Sequence, residues 1–333
     1  MEVTSGIHQF KVPIPDNPLG YLNAYLIKGQ RQRMLVDTGW NTDEALNSLG
    51  QQLAEAGMQF QDITHILITH IHPDHYGLAG RLKQLSGAEM IFHEVEKVYV
   101  ESRYVEYGNL MEEMEQWLRI NGVPDEDLPQ LQQASVGMTH VVSAVWPDRT
   151  VRGGEKLSIG DFEFEVLWTP GHSPGHICLY EPHKRILISG DHVLPIITPH
   201  VSLHAQSMGN PLADYVDSLQ AVEDLDVGLV LPAHEHIFYD LKKRAAEIRQ
   251  HHEERKQAIL DAIGNGRQTA FQISAKIPWN VPGVTWETMA TFDRRSAVME
   301  TLAHLELMRL ESKVHKFLKD GIAYYMQTTK PSK

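Results

Sequence analysis

The run His70-Ile71-His72-Pro73-Asp74-His75 constrains this chain more than any other stretch, because it packs four metal-liganding side chains into six residues. It follows an apolar, β-branched segment, Ile63-Thr64-His65-Ile66-Leu67-Ile68-Thr69, which reads as a buried strand. The cluster therefore falls in the loop at that strand's C-terminal end. There His70 and His72 can point the same way and share one ion, while Asp74 and His75, turned aside by Pro73 and the start of a helix, can hold a second. Imidazole and carboxylate without thiolate is the donor set of catalytic zinc, whose open coordination positions admit water.

Further segments flank this run in order. Met34-Leu35-Val36-Asp37-Thr38-Gly39 is an apolar strand ending in Asp-x-Gly, and Thr169-Pro170-Gly171-His172-Ser173-Pro174-Gly175-His176, Ser189-Gly190-Asp191-His192 and Leu231-Pro232-Ala233-His234 lie downstream. On these five motifs, between residues 34 and 236, the chain resembles the metallo-β-lactamase superfamily of binuclear metallohydrolases, whose signature has the form His-x-His-x-Asp-His. The resemblance implies an α/β (α+β) chain folded as an αββα sandwich, with the site along the edge shared by its two sheet-forming halves. It also implies two divalent cations: His70, His72 and His172 on one, Asp74, His75 and His234 on the other, and Asp191 bridging. Zinc is the first expectation, with manganese or iron as alternatives, since the same donors accept each. Two such cations about 3.5–4 Å apart hold a hydroxide between them and polarise the oxygen of the bond under attack. Two carboxylates are expected to assist: Asp37 by orienting a ligand imidazole through its second ring nitrogen, and Asp74 by returning a proton to the leaving group.

Other histidines are expected outside the site. His65 and His93 lie in apolar strands, where a lone histidine is usually a satisfied structural residue. His176 follows His172 by four residues and is expected to be structural, and the Pro-x-His pattern favours His234 over His236 as the last ligand. The doublet His251-His252, in a charged helical stretch, is expected to face solvent.

At 333 residues and 42% hydrophobic content, the chain can bury a large core and a smaller second one. No apolar run approaches the roughly 18–20 residues of a membrane span, and Met1-Glu2-Val3-Thr4-Ser5 lacks a signal-peptide pattern, so a cytoplasmic enzyme is expected. Cys178, the single cysteine, excludes an intrachain disulfide, and its place in Ile177-Cys178-Leu179-Tyr180 suggests an inert strand residue.

Alternation and turn signals predict strands over 6–14, 22–27, 34–36 and 88–92, helices over 42–56 and 74–85, then strands over 156–159, 162–168, 176–180 and 186–189. A helix over 211–225 and a strand over 227–231 complete a catalytic domain over 1–240. Residues 94–148 read as a helical insertion placed to roof the site, although Met111, Met114, Trp117 and Leu118 also have the spacing of a helix face packed on the sandwich. Residues 241–333 read as a C-terminal winged-helix-like domain, with helices over 252–263, 270–276 and 292–310 and a hairpin around Asp320-Gly321. That domain holds 16 Lys and Arg against 10 Asp and Glu, a balance of +6 in a chain of net −13, so residues 1–240 carry −19. Its basic residues Lys242, Lys243, Arg244, Arg249, Arg255 and Lys256 can hold an anionic substrate handle or form a solvated face.

His72 stands where the flavodiiron branch has Glu, which argues against oxygen reduction. Leu194 stands where lactonases of this fold carry a tyrosine, which lowers the lactonase reading unless Tyr76, Tyr239 or a tyrosine of the insertion substitutes. The expected activity is hydrolysis of a small carboxylic ester or thioester of coenzyme A or glutathione type. The alternatives are a metal-dependent ribonuclease, disfavoured by the acidic first 240 residues, and a lactonase. No membrane partner is expected, and a homo-oligomer stays open.

Overall fold

The computed structural model describes residues 1–106, 108–133, 138–279 and 284–328. Positions 107 and 134–137 of the expected insertion lie outside the described residues. In chain order the elements are β1 (Glu2–Thr4), β2 (Ile7–Pro13), β3 (Tyr21–Lys28), β4 (Arg33–Val36), α1 (Asp43–Glu55), β5 (His65–Leu67), α2 (Pro73–Tyr76), α3 (Ala79–Ser86), β6 (Glu89–His93) and α4 (Glu94–Val100). Then come α5 (Gly108–Ile120), α6 (Leu128–Gln133), β7 (Arg149–Val151), β8 (Lys156–Ile159), β9 (Phe162–Trp168), β10 (Ile177–Glu181), β11 (Ile186–Gly190), α7 (Pro211–Glu223) and β12 (Leu229–Pro232). The chain closes with α8 (Leu241–Ile263), α9 (Ala270–Ser274), α10 (Thr291–Leu310), β13 (Val314–Lys319) and β14 (Ile322–Gln327). Residues 1–107, 138–199 and 218–245 form one compact unit, and 108–137, 200–217 and 246–333 a second.

In the first unit, β1 to β7 lie side by side in sequence order, and β12-β11-β10-β9-β8 make a second sheet. β3 shows why both faces of the first sheet are apolar. Leu22, Ala24 and Leu26 face a core shared with α1 and α3, while Tyr25 and Ile27 point into a core shared with Phe164, Val166 and Leu179 of the second sheet. α1 is set by local chemistry: Thr42 caps it by accepting from the Ala45 amide at 3.1 Å, and Ala45, Leu49 and Leu53 recur on its buried face.

The helix predicted over 74–85 is two helices. Gly77 interrupts it where the backbones converge, since a Cβ there would meet the carbonyl oxygens of Pro73, Val141 and Gly39 at 2.5–2.7 Å. The Leu78 amide accordingly donates to Gly39 O at 2.9 Å and not to the preceding turn.

In the second unit, Met114 and Leu118 of α5 pack with Val123, Leu128 and Leu131 against Met299 of α10. This helix face is thus covered by the C-terminal segment. β13 and β14 pair from Val314↔Gln327 to Lys319↔Ile322 around Asp320 (φ 52°) and Gly321 (φ 79°), the left-handed pair of a two-residue hairpin turn. Of the doublet expected to face solvent, His251 is partly exposed but His252 is buried, with Nδ1 3.1 Å from His304 Nε2. Among the described residues no helix is long and apolar enough to cross a membrane.

Candidate metal centre

The site grows from strand ends. β4 and β5 run parallel with Val36 beside Leu67, so Asp37 and the segment from Thr69 to His75 leave the first sheet at the same edge. β11 and β12 are also parallel, with Gly190 beside Pro232, and they deliver Asp191 and His234. His172 comes from the loop joining β9 to β10. The two sheets are tied at this edge: the Asn23 amide donates to Ala233 O at 2.7 Å, and the Ile177 amide to Thr69 O at 3.0 Å.

All seven residues expected as metal ligands converge. His70 Nε2 lies 2.9 Å from His72 Nδ1 and 3.2 Å from His172 Nε2, one three-imidazole group. His234 Nε2 lies 3.3 Å from Asp74 Oδ2, and His75 Nε2 lies 3.7 Å from the same oxygen, a second group. Asp191 stands between them, with Oδ2 3.4 Å from both His172 Nε2 and His75 Nε2, and Oδ1 3.4 Å from His234 Nε2. Each group keeps its donor atoms within 4.8 Å of one another.

The electrostatics suit cations. Burial and the crowding of His75, His72 and His172 hold His70 well below the usual imidazole range; burial, His172 and Arg103 do the same for His72, so both are neutral donors. Burial pulls His234 and His75 down as well, but there the carboxylates win. Asp191 and Asp74 lift His234 to about 10, and Asp191, Asp37 and Asp74 lift His75 well above its ordinary value. Against their own burial, Asp74 is drawn to about 2 by His75 and His234, and Asp191 well below the carboxylate range by His234 and His75. Protons thus occupy imidazoles whose carboxylate neighbours would equally hold a metal ion. His75 Nε2, His234 Nε2 and Asp191 Oδ1 are buried without a hydrogen-bond partner among the described residues, and such atoms fit a cation.

A layer of contacts fixes the donors. His75 Nδ1 donates to Asp37 Oδ2 at 2.8 Å, and Asp37 also accepts from the Thr69 amide at 2.8 Å and the Thr69 hydroxyl at 2.9 Å. Asp37 itself has φ 61°, a left-handed conformation that a non-glycine residue adopts only when held there. His176 is not among the converging donors. Its Nε2 accepts from the Asp191 amide at 3.1 Å, and Gly190 (φ 50°) is required beside it, because a Cβ would stand 2.6 Å from that nitrogen.

Glu96 was not legible as a site residue. Fully buried, it accepts from the Ile71 amide at 3.0 Å, the Ser173 hydroxyl at 2.5 Å and the Gly175 amide at 2.6 Å, fastening the loop of His70 and His72 to the loop of His172. The available signal was an acidic residue on the buried stripe Glu96-Tyr99-Val100 of α4.

The remaining histidines settle as follows. His65 Nδ1 lies 2.8 Å from the Thr64 hydroxyl, His93 Nδ1 caps α4 by accepting from the Val95 amide, and His236 is exposed. Cys178 is buried, its thiol pushed up to about 12 by desolvation. Tyr76 offers no substitute for a lactonase tyrosine, since its buried hydroxyl is bound to both Val145 O at 2.5 Å and the Val145 amide at 2.6 Å. Three cations of the basic stretch of α8 are engaged within the protein. Arg244 donates to the backbone carbonyls of Leu194, Ile196 and Ile197, Arg255 donates to Pro278 O and lies over the Trp279 ring, and Lys256 is buried against Glu253 and Glu311.

A family model described as the metallo-beta-lactamase superfamily matches residues 17–234. The chain is 25% identical to a probable metallo-hydrolase, YqjP, of Bacillus subtilis, over 97% of this chain and 98% of that one. It is 28% identical to an acyl-coenzyme A thioesterase, MBLAC2, of Bos taurus, over 65% of this chain and 74% of that one. A crystal structure of a metallo-beta-lactamase family protein from Thermus thermophilus superposes with a TM-score of 0.81 at 32% identity, covering 98% of this chain and 100% of the other.

Proposed function

The chain belongs to the metallo-beta-lactamase superfamily, and from that premise we propose that it hydrolyses a carboxylic ester or thioester with the aid of two divalent cations. The observation that carries this reading is Asp191, whose two oxygens face His75, His172 and His234 and so join two complete donor groups. We assign His70, His72 and His172 to one ion, Asp74, His75 and His234 to the other, and Asp191 to both. Bound there, the cations supply an activated water and a Lewis acid for the carbonyl oxygen.

The protein's own residues do the rest. Asp37 fixes the His75 tautomer, so that Nε2 faces the site with a lone pair once its proton is displaced. His176 holds the Asp191 backbone, and Glu96 sets the spacing of the two histidine loops. Asp74, ionised and with Oδ2 toward His234, is our choice to take the proton that the attacking water gives up and pass it to the departing alcohol or thiol. Water thus adds across the acyl bond, giving a carboxylic acid and the free alcohol or thiol. The thioester side is supported by the acyl-coenzyme A thioesterase among its relatives. The internal use of Arg244, Arg255 and Lys256 favours a small substrate over RNA.

The test is reconstitution with zinc or manganese, elemental analysis, and a panel of acetyl and octanoyl thioesters, esters, a lactone and an RNA oligonucleotide. The expected result is two ions per chain and ester or thioester turnover that disappears in Asp191→Ala. A single ion per chain that reconstitution does not raise, or RNA cleavage outpacing acyl hydrolysis, overturns the reading.

A further inference from the structure

The loop that follows Asp191 presents an unusual surface. Leu194 is buried, but Ile196 and Ile197 are 65% and 40% exposed. Their backbone, in contrast, is entirely committed. The Ile196 and Ile197 amides donate to Glu235 Oε2 at 2.9 and 3.3 Å, and their carbonyls accept from Arg244 Nη2 at 2.7 and 2.9 Å, while Arg244 Nε donates to Leu194 O at 2.6 Å. Two charged side chains therefore hold the amides and carbonyls of both isoleucines. What remains facing outward is hydrocarbon on a rigid base.

The clamp is attached to the candidate metal centre. Glu235 directly follows His234 and holds a left-handed φ of 66°, and its carbonyl accepts from Asn23 Nδ2 at 3.1 Å and from the Tyr21 hydroxyl at 3.3 Å. The apolar tip is thus one residue and one side chain away from a proposed ligand, and five residues beyond Asp191. Charge-assisted bonds are the strong ones, so this loop is stiff where exposed loops are ordinarily mobile. Two isoleucines are far smaller than the roughly 800 Å² per partner of a stable protein interface, but they match the width of an alkyl chain.

We propose that Ile196 and Ile197 form a platform on which the substrate's hydrocarbon acyl chain lies, which makes the substrate class a medium- or long-chain acyl ester or thioester. This inference rests on the hydrolase reading above and deepens it. Each methylene covered on such a platform multiplies binding by about fourfold, so chain length is the discriminating variable.

The experiment compares wild type, Ile196→Ser/Ile197→Ser and Ile196→Leu/Ile197→Leu, all metal-loaded, on octanoyl and acetyl thioesters, with calorimetric binding of dodecanoate and butyrate alongside. The expected result is an octanoyl-to-acetyl ratio of kcat/KM that falls about tenfold or more in the serine variant and returns in the leucine variant. Dodecanoate binding should weaken in parallel. An unchanged ratio with unchanged dodecanoate affinity overturns the platform and leaves the hydrolase reading standing. Dodecanoate binding that depends on the two isoleucines, in a protein that turns over neither the thioesters nor the matching esters, keeps the platform and removes the hydrolase reading.

Discussion

Replacing Glu96 by glutamine removes one charge and almost no volume, and its effect follows from counting donors. The carboxylate receives three hydrogens: Ile71 N–H on Oε2, and Ser173 O–H and Gly175 N–H on Oε1. A glutamine placed with its amide nitrogen toward Ile71 sets two donors face to face. Flipped, it meets Ser173, which can rotate, and Gly175 N–H, which cannot. Either way one buried backbone N–H loses its acceptor, and the other bonds lose their charge assistance. A hydrogen bond to a charged group is worth about 1.5–3 kcal/mol and an unsatisfied buried donor costs about 1–3 kcal/mol, so Glu96→Gln should destabilise the first unit by roughly 2–4 kcal/mol. Because Ile71 lies between His70 and His72, and Ser173 and Gly175 flank the loop of His172, the three-imidazole group should also loosen, by the roughly 10–100-fold in metal affinity typical of lost supporting contacts. Urea unfolding of the metal-free protein measures the first effect, and zinc titration against a competing chelator the second. Unchanged midpoint and unchanged zinc affinity in Glu96→Gln would refute the argument, because no rotamer of the amide can satisfy all three donors.

Asp37→Ala should weaken metal binding by a similar roughly 10–100-fold, since it frees the His75 ring and strands the Thr69 amide, and chelator competition would expose the error if affinity were kept. The second unit should be acid-sensitive. Burial holds His304 down to about 4, so the unfolded chain takes up that proton first and the stability present above about pH 6.5 is lost as pH falls toward 4. That linkage amounts to roughly 3 kcal/mol by pH 4. Burial pushes Glu300 up, but the hydrogen bond from His200 and the charges of His200, His304 and Arg255 together outweigh it and hold Glu300 at about 2, which adds a loss below pH 4.5. Hydrogen exchange at α8 and α10 amides, corrected for intrinsic rates, should report the opening, and equal protection at pH 7 and pH 4.5 would contradict it.

The strands and the cluster from His70 to His75 were readable because both are written locally, whereas His172, Asp191 and His234 were reached through the resemblance of their motifs to a family. A run such as Phe162 to Trp168 alternates with the period of its own pleat, and His70 to His75 carries its chemistry in adjacent positions. What escaped depends on partners distant in sequence. Nothing in residues 74–85 announces that Val141 and Gly39 press on Gly77, and nothing around Glu96 announces Ser173 and Gly175. The charged stretch 241–256 looked uniform in sequence. Three of its cations instead meet carbonyls, a tryptophan face and the carboxylates of Glu253 and Glu311, and composition cannot specify those pairings.

The crowding of donors into one short loop also bears on the denatured chain. Asp191, His172 and His234 reach the site only when both sheets are formed and joined, but His70, His72, Asp74 and His75 remain neighbours in an unfolded polypeptide. That polypeptide therefore keeps an affinity of its own for a transition metal. Ligand linkage stabilises a native state only by the difference between its affinity and that of the unfolded ensemble. Raising free zinc should accordingly raise the melting temperature steeply at first and about half as steeply once the denatured loop fills with one ion against the native state's two, and refolding begun in excess zinc should pass through a population in which a single ion is already captured by the first sheet's loop.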